Sequence, residues 1–137
     1  MSAETGGNAT LHGYWISEVL SGGATVKLFT TGLSYQDTAT ELDTKEVSAA
    51  SYSGISVTDA DFIETVDATN GRTTLENDGV IDFGTAGEDW GIVVDAAIQN
   101  DANPDRFIRI DEPNDPEITE GEDVQFSSGD LSYTLGN

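Results

Sequence analysis

The chain has no cysteine, few basic residues and no long apolar run, and each absence argues against a class of protein. Without cysteine there is no disulfide framework and no thiolate chemistry. No apolar segment approaches the ~18 residues of a membrane-spanning helix, and the polar, glycine-rich residues 1–10 do not resemble a secretory signal peptide. Only 5 lysines and arginines are present, so no basic patch can neutralise nucleic-acid phosphates. We therefore expect no nucleic-acid partner and no membrane insertion.

Acidic residues dominate the charge of the chain. The 26 Asp and Glu give its 137 residues a formal net charge of -21, which weakens a compact state at low ionic strength. Charge-driven disorder requires few apolar and aromatic residues, whereas this chain is 36% hydrophobic and 8% aromatic. Since the Debye length falls to about 3 Å at molar salt, the composition predicts a folded domain adapted to strong brine, typical of a halophilic archaeon or its virus. An acidic mesophilic protein is the alternative.

Short alternating segments separated by turn signals run through residues 21–137. Residues 25–31 and 106–110 alternate between two faces, as half-buried strands do. The most apolar run, residues 90–98, is a candidate central strand, and Trp90 at its start is expected in the core. Such a series of short strands is typical of a sandwich or barrel. We predict an all-β protein whose residues 21–137 form a single antiparallel, jelly-roll-like β-sandwich.

Other parts of the chain carry weaker signals. Residues 32–44 are polar and predict a loop, and residues 47–58 predict a serine-rich strand. Residues 59–67 fit a strand or a single helical turn. Two further strands are expected at 124–126 and 131–135.

Residues 1–20 are predicted to form an N-terminal arm or short helix that makes assembly contacts. Four apolar residues fall near one face of such a helix: Leu11, Trp15, Val19 and Leu20. The segment is short and contains Gly13, so a strand is the alternative.

No catalytic set is visible in the sequence. His12 is the only histidine, so a metal site with two histidines of this chain is excluded. We expect His12 to be exposed or to lie at an interface. Carboxylate clusters within residues 59–61, 111–115 and 120–123 could hold a hard cation through oxygen ligands, but none has the spacing of an EF-hand loop. We expect no enzyme activity and no cofactor, with loosely bound cations possible on a hydrated acidic surface.

Six residues are candidates for contacts between subunits: Leu11, Tyr14, Trp15, Ile16, Arg106 and Arg109. The first four lie on the amphipathic N-terminal segment. The two arginines are rare positive charges on a strand in an acidic background, which suits them to carboxylates of a neighbouring subunit. An ion pair within the same chain is the alternative for each arginine.

Three segments follow one another in an order that carries a family resemblance. Residues 46–52 (EVSAASY), followed by Val57-Thr58, are similar to the pattern EVSGGGYAR…VT. Residues 81–83 (IDF), 89–91 (DWG) and Ile98 are similar to VTFP…A.WGTVTHFGI. Residues 118–126 (ITEGEDVQF), 128–131 (SGDL) and Thr134-Leu135 are similar to VNAGDTLSFAAGALTVTL. Together they resemble a family of small tailed-phage structural proteins commonly labelled tail fibre proteins.

The resemblance implies a virion component and not an enzyme. The expected function is that of a structural protein of a halophilic tailed virus, which forms a symmetric homo-oligomer and contacts other virion proteins. A capsid decoration or vertex turret is the first expectation, because the chain is short and lacks the heptads of a stalk. A tail fibre or baseplate subunit is the alternative, as is a module that binds glycans or the S-layer of a host cell. The expected location is the virion, on the capsid exterior or the tail.

The charge predicts that folding depends on salt. Diluting the salt from 1 M to 10 mM lengthens the Debye length from about 3 Å to about 30 Å, so self-repulsion should unfold the protein or dissociate its oligomer. Circular dichroism and light scattering across a salt series measure both, with a nearly neutral domain as control. Stability that stays flat from molar to millimolar salt contradicts the prediction.

Overall fold

The structure, a computed structural model, describes residues 6–110 and 115–136. Residues 1–5 of the predicted N-terminal arm or short helix (1–20) and residues 111–114 of the predicted carboxylate cluster at 111–115 lie outside them. In the described ranges the helices are α1 (Gly6–Leu20) and α2 (Ala39–Lys45), and a 3-10 turn covers Asp59–Asp61. The strands are β1 (Ala24–Phe29), β2 (Ile55–Val57), β3 (Phe62–Asp67), β4 (Arg72–Asn77), β5 (Ile81–Thr85), β6 (Gly91–Ile92), β7 (Asp95–Asn100), β8 (Phe107–Ile110), β9 (Glu117–Ile118), β10 (Asp123–Phe126) and β11 (Ser132–Gly136).

The strands pair antiparallel in every sheet of the described chain. The largest sheet has the order β2-β1-β7-β8, and a three-stranded sheet has the order β11-β4-β3. Two further pairs, β10 with β5 and β6 with β9, complete the β structure. The prediction of an all-β antiparallel sandwich with a short N-terminal helix is confirmed.

The main core lies on one face of the four-stranded sheet. Register places Val26 of β1 beside Ile98 of β7, and Leu28 beside Ala96, so these four completely buried side chains share a face. Apolar residues of α1, β4, β5 and β10 close the other side of this core, among them Val19, Leu75, Phe83, Val124 and Phe126. Trp90 is buried in the same cluster, as its position in the sequence predicts.

A smaller core covers the opposite face of the same sheet. Phe29 and Ala97 pack there against Leu33 and Leu42 of the segment between β1 and β2. Because both faces are covered, every residue of β7 is buried. The predicted central strand at residues 90–98 therefore exists, but it is broken into the short β6 and the central β7.

The segment predicted as a loop at residues 32–44 contains the helix α2, which the sequence analysis missed. Thr38 accepts a hydrogen bond from the Glu41 backbone N–H, and the Glu41 carboxylate accepts one from the Thr38 N–H. This reciprocal capping box is the S/T-x-x-E signature of a helix start, so the sequence did contain a signal. The strand predicted at residues 47–58 is also shorter than expected and forms only at Ile55–Val57.

Asn100, at the end of β7, holds the C-terminal end of α1 in place. Its buried side-chain amide donates to the carbonyl oxygens of Val19 and Ser21 at 2.7 and 2.9 Å. Carbonyls in the last turn of a helix have no partner inside the helix, so Asn100 satisfies groups that would otherwise be costly to bury. Its own Oδ1 accepts from the Asn103 N–H at 2.8 Å, which fixes the turn towards β8.

The side chain of Asn77 satisfies backbone groups in a similar way at the end of the three-stranded sheet. It is completely buried, and its amide donates to the carbonyl oxygens of Gly79 and Ser127 at 2.7 and 2.9 Å. Its Oδ1 accepts from the Leu131 N–H at 3.0 Å. One side chain thus joins the end of β4 to the turn before β11 and brings β11 back beside β4.

We predict that Asn77→Ala destabilises the protein by about 2–4 kcal/mol, because it leaves several buried backbone groups without partners. Urea denaturation at constant molar salt measures the change. The matched control is Asn70→Ala in an exposed turn, expected to cost less than about 1 kcal/mol. Equal costs for the two variants contradict the role assigned to Asn77.

Candidate assembly surface

Three large side chains lie exposed on the outward face of α1. Leu11, Tyr14 and Trp15 are 49%, 58% and 52% exposed. Residues three and four apart are neighbours on a helix surface, so the three form one continuous apolar stripe, called here the α1 stripe. Three of the six predicted contact residues are therefore together on the surface.

The buried face of α1 differs from the predicted one. Ile16 is 1% exposed and packs in the main core, so the prediction that it contacts a neighbouring subunit is wrong for this fold. Leu11 and Trp15, placed by the sequence analysis on the same face as Val19, point outward instead.

His12 explains this rotation of the helix. The residue is buried, contrary to the expectation of an exposed or interface histidine, and a 2.9 Å hydrogen bond joins its Nδ1 to Oγ1 of the completely buried Thr73 on β4. A polar side chain can take a core position when it finds such a partner. His12 and Ile16 thereby hold one face of α1 against the protein and turn the stripe towards solvent.

The two predicted contact arginines each form an ion pair within the chain, which is the alternative left open by the sequence. Arg106 Nη1 lies 2.7 Å from Glu18 Oε2, and Arg109 Nε lies 2.7 Å from Asp95 Oδ1. The Asp95 carboxylate is almost completely buried and also accepts from the Leu33 N–H at 2.8 Å. Both arginine side chains nevertheless stay about half exposed. A guanidinium has five N–H donors, so each can still bind a partner.

Both arginines line a groove of about 660 Å³ beside β8. Its lining includes the apolar or aromatic side chains of Val19, Tyr35, Phe107 and Tyr133, together with Arg106 and Arg109. This cavity is called the β8 groove below. Its charged lining consists of two carboxylates, Glu18 and Asp105, and the two arginines, so these charges sum to zero.

Glu18 connects the α1 stripe with the β8 groove. Its carboxylate acts as a nearby acceptor for the Tyr14 hydroxyl and so raises the pKa of Tyr14 above its usual value, and it is paired with Arg106. The surface from Leu11 to Arg109 therefore combines exposed apolar side chains with two arginines that offset part of the surrounding acidic charge.

The sequence analysis missed the groove aromatics Tyr35, Phe107 and Tyr133. Phe107 carried a signal, because it stands between the two arginines in a strictly alternating strand. Tyr35 carried none, since it lies in a segment interpreted as a loop. Its partners in the groove come from distant parts of the chain.

Asp37 fixes the segment that carries Tyr35. Its buried carboxylate accepts from Lys45 Nζ on α2 and from the Ser34 N–H, both at 2.8 Å. The Lys45 hydrogen bond, helped by the Ser34 N–H, lowers the pKa of Asp37. Residues 34–37 are thereby tied to the last turn of α2, where a cation is also favoured by the helix dipole.

Neither helix in the described part of the chain has the length and apolar character needed to span a bilayer. Within the same residues, no three His, Cys, Asp or Glu side chains are close enough to hold a metal ion. Residues 111 and 112 of one predicted cation cluster lie outside that part.

Comparisons with known proteins returned no relatives. No protein-family model matches the chain, and neither a curated protein nor a solved structure matches it significantly.

We predict that the contribution of Asp37 to stability disappears in acid. Its folded-state pKa lies below the unfolded value of 3.8, so the unfolded state binds the proton more readily and stability falls as the pH falls through that range. The wild type should therefore exceed Asp37→Asn in unfolding free energy at pH 6, and the difference should shrink towards pH 2. Urea melts in molar salt measure this.

Asp43→Asn, which changes an exposed carboxylate of the neighbouring helix α2, is the control for the loss of one negative charge. A difference between wild type and Asp37→Asn that stays constant down to pH 2 contradicts the prediction.

Proposed function

We propose that this chain is a non-enzymatic structural subunit of a halophilic tailed virus, which assembles as a homo-oligomer into a capsid decoration or vertex turret. The family resemblance of segments between residues 46 and 135 suggests a virion protein, and the acidic composition suggests that it works in brine. The observation that carries self-association is the α1 stripe.

The α1 stripe has the properties of a contact surface. Scattered single apolar residues are normal on protein surfaces, but a contiguous group of large ones marks an interaction site. Leu11, Tyr14 and Trp15 form such a group on a helix that His12 and Ile16 hold firmly in place. Tryptophan and tyrosine are also the residues that dominate binding energy at interfaces.

Charge determines where such acidic copies can meet. Two chains of formal charge -21 repel each other least where cations offset carboxylates, and at the β8 groove Arg106 and Arg109 offset two of the three carboxylates of Glu18, Asp95 and Asp105. Molar salt screens the remaining repulsion. Apolar contacts are not weakened by this screening, and salting-out salts strengthen them.

The subunit would act on the outside of the particle, with its acidic loops towards the brine and its stripe and groove towards neighbouring copies. A closed symmetric assembly uses the same surface on every copy. Imaging virions that carry a labelled copy distinguishes a position on the capsid exterior from one on the tail.

We predict that replacing the stripe with serine (Leu11→Ser, Tyr14→Ser and Trp15→Ser together) weakens self-association by about 100-fold or more, because buried aromatic anchors carry most of the binding energy. Light scattering coupled to gel filtration in molar salt measures the mass, and circular dichroism verifies the fold.

The matched control is a second serine triple at similarly exposed apolar positions outside the α1 stripe and the lining of the β8 groove, Ile63, Val80 and Ile92. It should leave the association unchanged. A wild-type protein that is still monomeric at about 1 mM, where even contacts of about -4 kcal/mol would show, contradicts the proposed self-association.

A host-surface module is the second candidate, and the exposed aromatic rings of Tyr14, Trp15 and Tyr35 favour it. Such rings stack on sugars as readily as on protein. Titration of host-type glycans in molar salt, followed by tryptophan fluorescence, separates the two candidates. Saturable quenching that is lost in Trp15→Ser, in a protein that does not self-associate, supports the glycan module.

A further inference from the structure

We propose that Asn70 is a site of spontaneous covalent modification, where the chain converts its own side-chain amide to a carboxylate once the turn between β3 and β4 opens. In molar salt the carboxylate of Asp67 holds this turn closed, so the conversion accumulates in molecules that have spent time in dilute solution. The modification is independent of the proposed assembly, because it needs no second copy and no partner.

Asn70 is the only asparagine of the sequence that glycine follows. The reaction requires the backbone nitrogen of the next residue to reach the side-chain amide carbon, and a glycine allows such a close approach. The other internal asparagines precede alanine, aspartate or proline, and proline has no backbone N–H. Asn70 is also exposed, whereas Asn77 and Asn100 are buried.

The conversion has two steps that balance without an oxidant or a cofactor. The backbone nitrogen of Gly71 attacks Cγ of Asn70, the Cγ–Nδ2 bond breaks, and Nδ2 leaves as ammonia with the proton of the Gly71 N–H. The product is a cyclic imide. Water then opens the ring and returns a proton to the Gly71 nitrogen. Opening at Cγ gives aspartate, and opening at the backbone carbonyl carbon gives isoaspartate.

Asp67 holds both the side chain and the backbone of Asn70 in the closed turn. Its Oδ2 accepts from Asn70 Nδ2 at 2.8 Å, and its Oδ1 accepts from the N–H groups of Asn70 and Thr69 at 3.2 and 3.1 Å. The side-chain bond to Asn70, followed by the backbone bond, lowers the pKa of Asp67, so this acceptor stays charged at neutral pH. The nitrogen that must leave is therefore itself hydrogen-bonded.

The ends of the two strands restrict the turn further. The register pairs Asp67 with Arg72, so residues 68–71 make the whole connection. Gly71 has a φ of 65°, in the left-handed region that favours glycine. Attack requires rotation about the bonds of Asn70, which the paired strand ends and the bonds to Asp67 oppose. Opening therefore precedes the reaction, and the rate follows the population of the open turn.

Salt controls how often this turn opens. The hairpin of β3 and β4 carries three acids, Glu64, Asp67 and Glu76, against one cation, Arg72. Dilution restores the repulsion that molar salt screens, and β3 has a paired strand on one side only in the described chain. Because ammonia leaves, the change is permanent. The new carboxylate lies beside Asp67 and cannot donate to it, so the closed turn does not form again.

The test measures isoaspartate at residue 70 by peptide mapping and mass spectrometry. The wild type is kept at mildly alkaline pH, where the Gly71 nitrogen loses its proton more readily, in molar salt, in millimolar salt, and in molar salt with urea. Folded protein in molar salt should convert at least about tenfold more slowly than the urea-unfolded chain, and millimolar salt should remove most of this protection. A chain that forms no isoaspartate when unfolded overturns the site, and equal rates in all three solutions overturn the control by salt.

A pair of variants tests the role of Asp67. In molar salt Asp67→Ala should convert at least about tenfold faster than Glu64→Ala, which removes an exposed acid of the same strand and leaves the bonds to Asn70 in place. Circular dichroism verifies that both are folded. Equal rates in the two folded variants overturn the role of Asp67, and the salt series on the wild type does not depend on either variant folding.

Two changes at residue 70 complete the test. Asn70→Gln keeps an amide donor but lengthens the side chain, so the same ring cannot form and no isoaspartate should appear at this position. Asn70→Asp carries the carboxylate of the product and should unfold at a lower urea concentration than Asn70→Gln in dilute salt. Equal midpoints overturn the lasting effect of the modification.

Discussion

Only 5 basic side chains are available to offset 26 acidic ones, and the fold depends on where they are placed. Lys45 and Arg109 pair with the two carboxylates of Asp37 and Asp95, which are almost completely buried. A buried carboxylate without a partner is strongly destabilising, whereas exposed ones need only brine to screen them. Two of the five cations are therefore used where screening by salt cannot act, whereas Arg106 pairs with Glu18 at the surface.

Hydrogen bonds between uncharged groups satisfy buried polar groups that no cation reaches. Asn77 and Asn100 are both buried, and each joins elements far apart in the chain. Such bonds carry no net charge and are little affected by ionic strength, in contrast to surface ion pairs. The Asn100 bonds hold the C-terminal end of α1, and with the His12–Thr73 bond they determine which side chains of α1 are available for contacts.

The β structure could be predicted because alternation is a local property: residues 106–110 alternate, and β8 forms there. The orientation of α1 could not, because it depends on Thr73, 61 residues away from His12. The helix α2 was signalled by Thr38 and Glu41, whose capping box can be recognised without tertiary information. The β8 groove could not be predicted from the sequence, because only the folded chain brings Tyr35 and Tyr133 together.

The β2 edge of the four-stranded sheet limits how large an assembly built from that sheet can become. The Tyr52 hydroxyl both accepts from the Leu28 N–H and donates to the Glu46 carboxylate at 2.7 Å, so it terminates one side. A sheet with two open sides can add copies without end and become a fibre. With its β2 side terminated in this way, this sheet cannot extend into a fibre by adding copies at both sides.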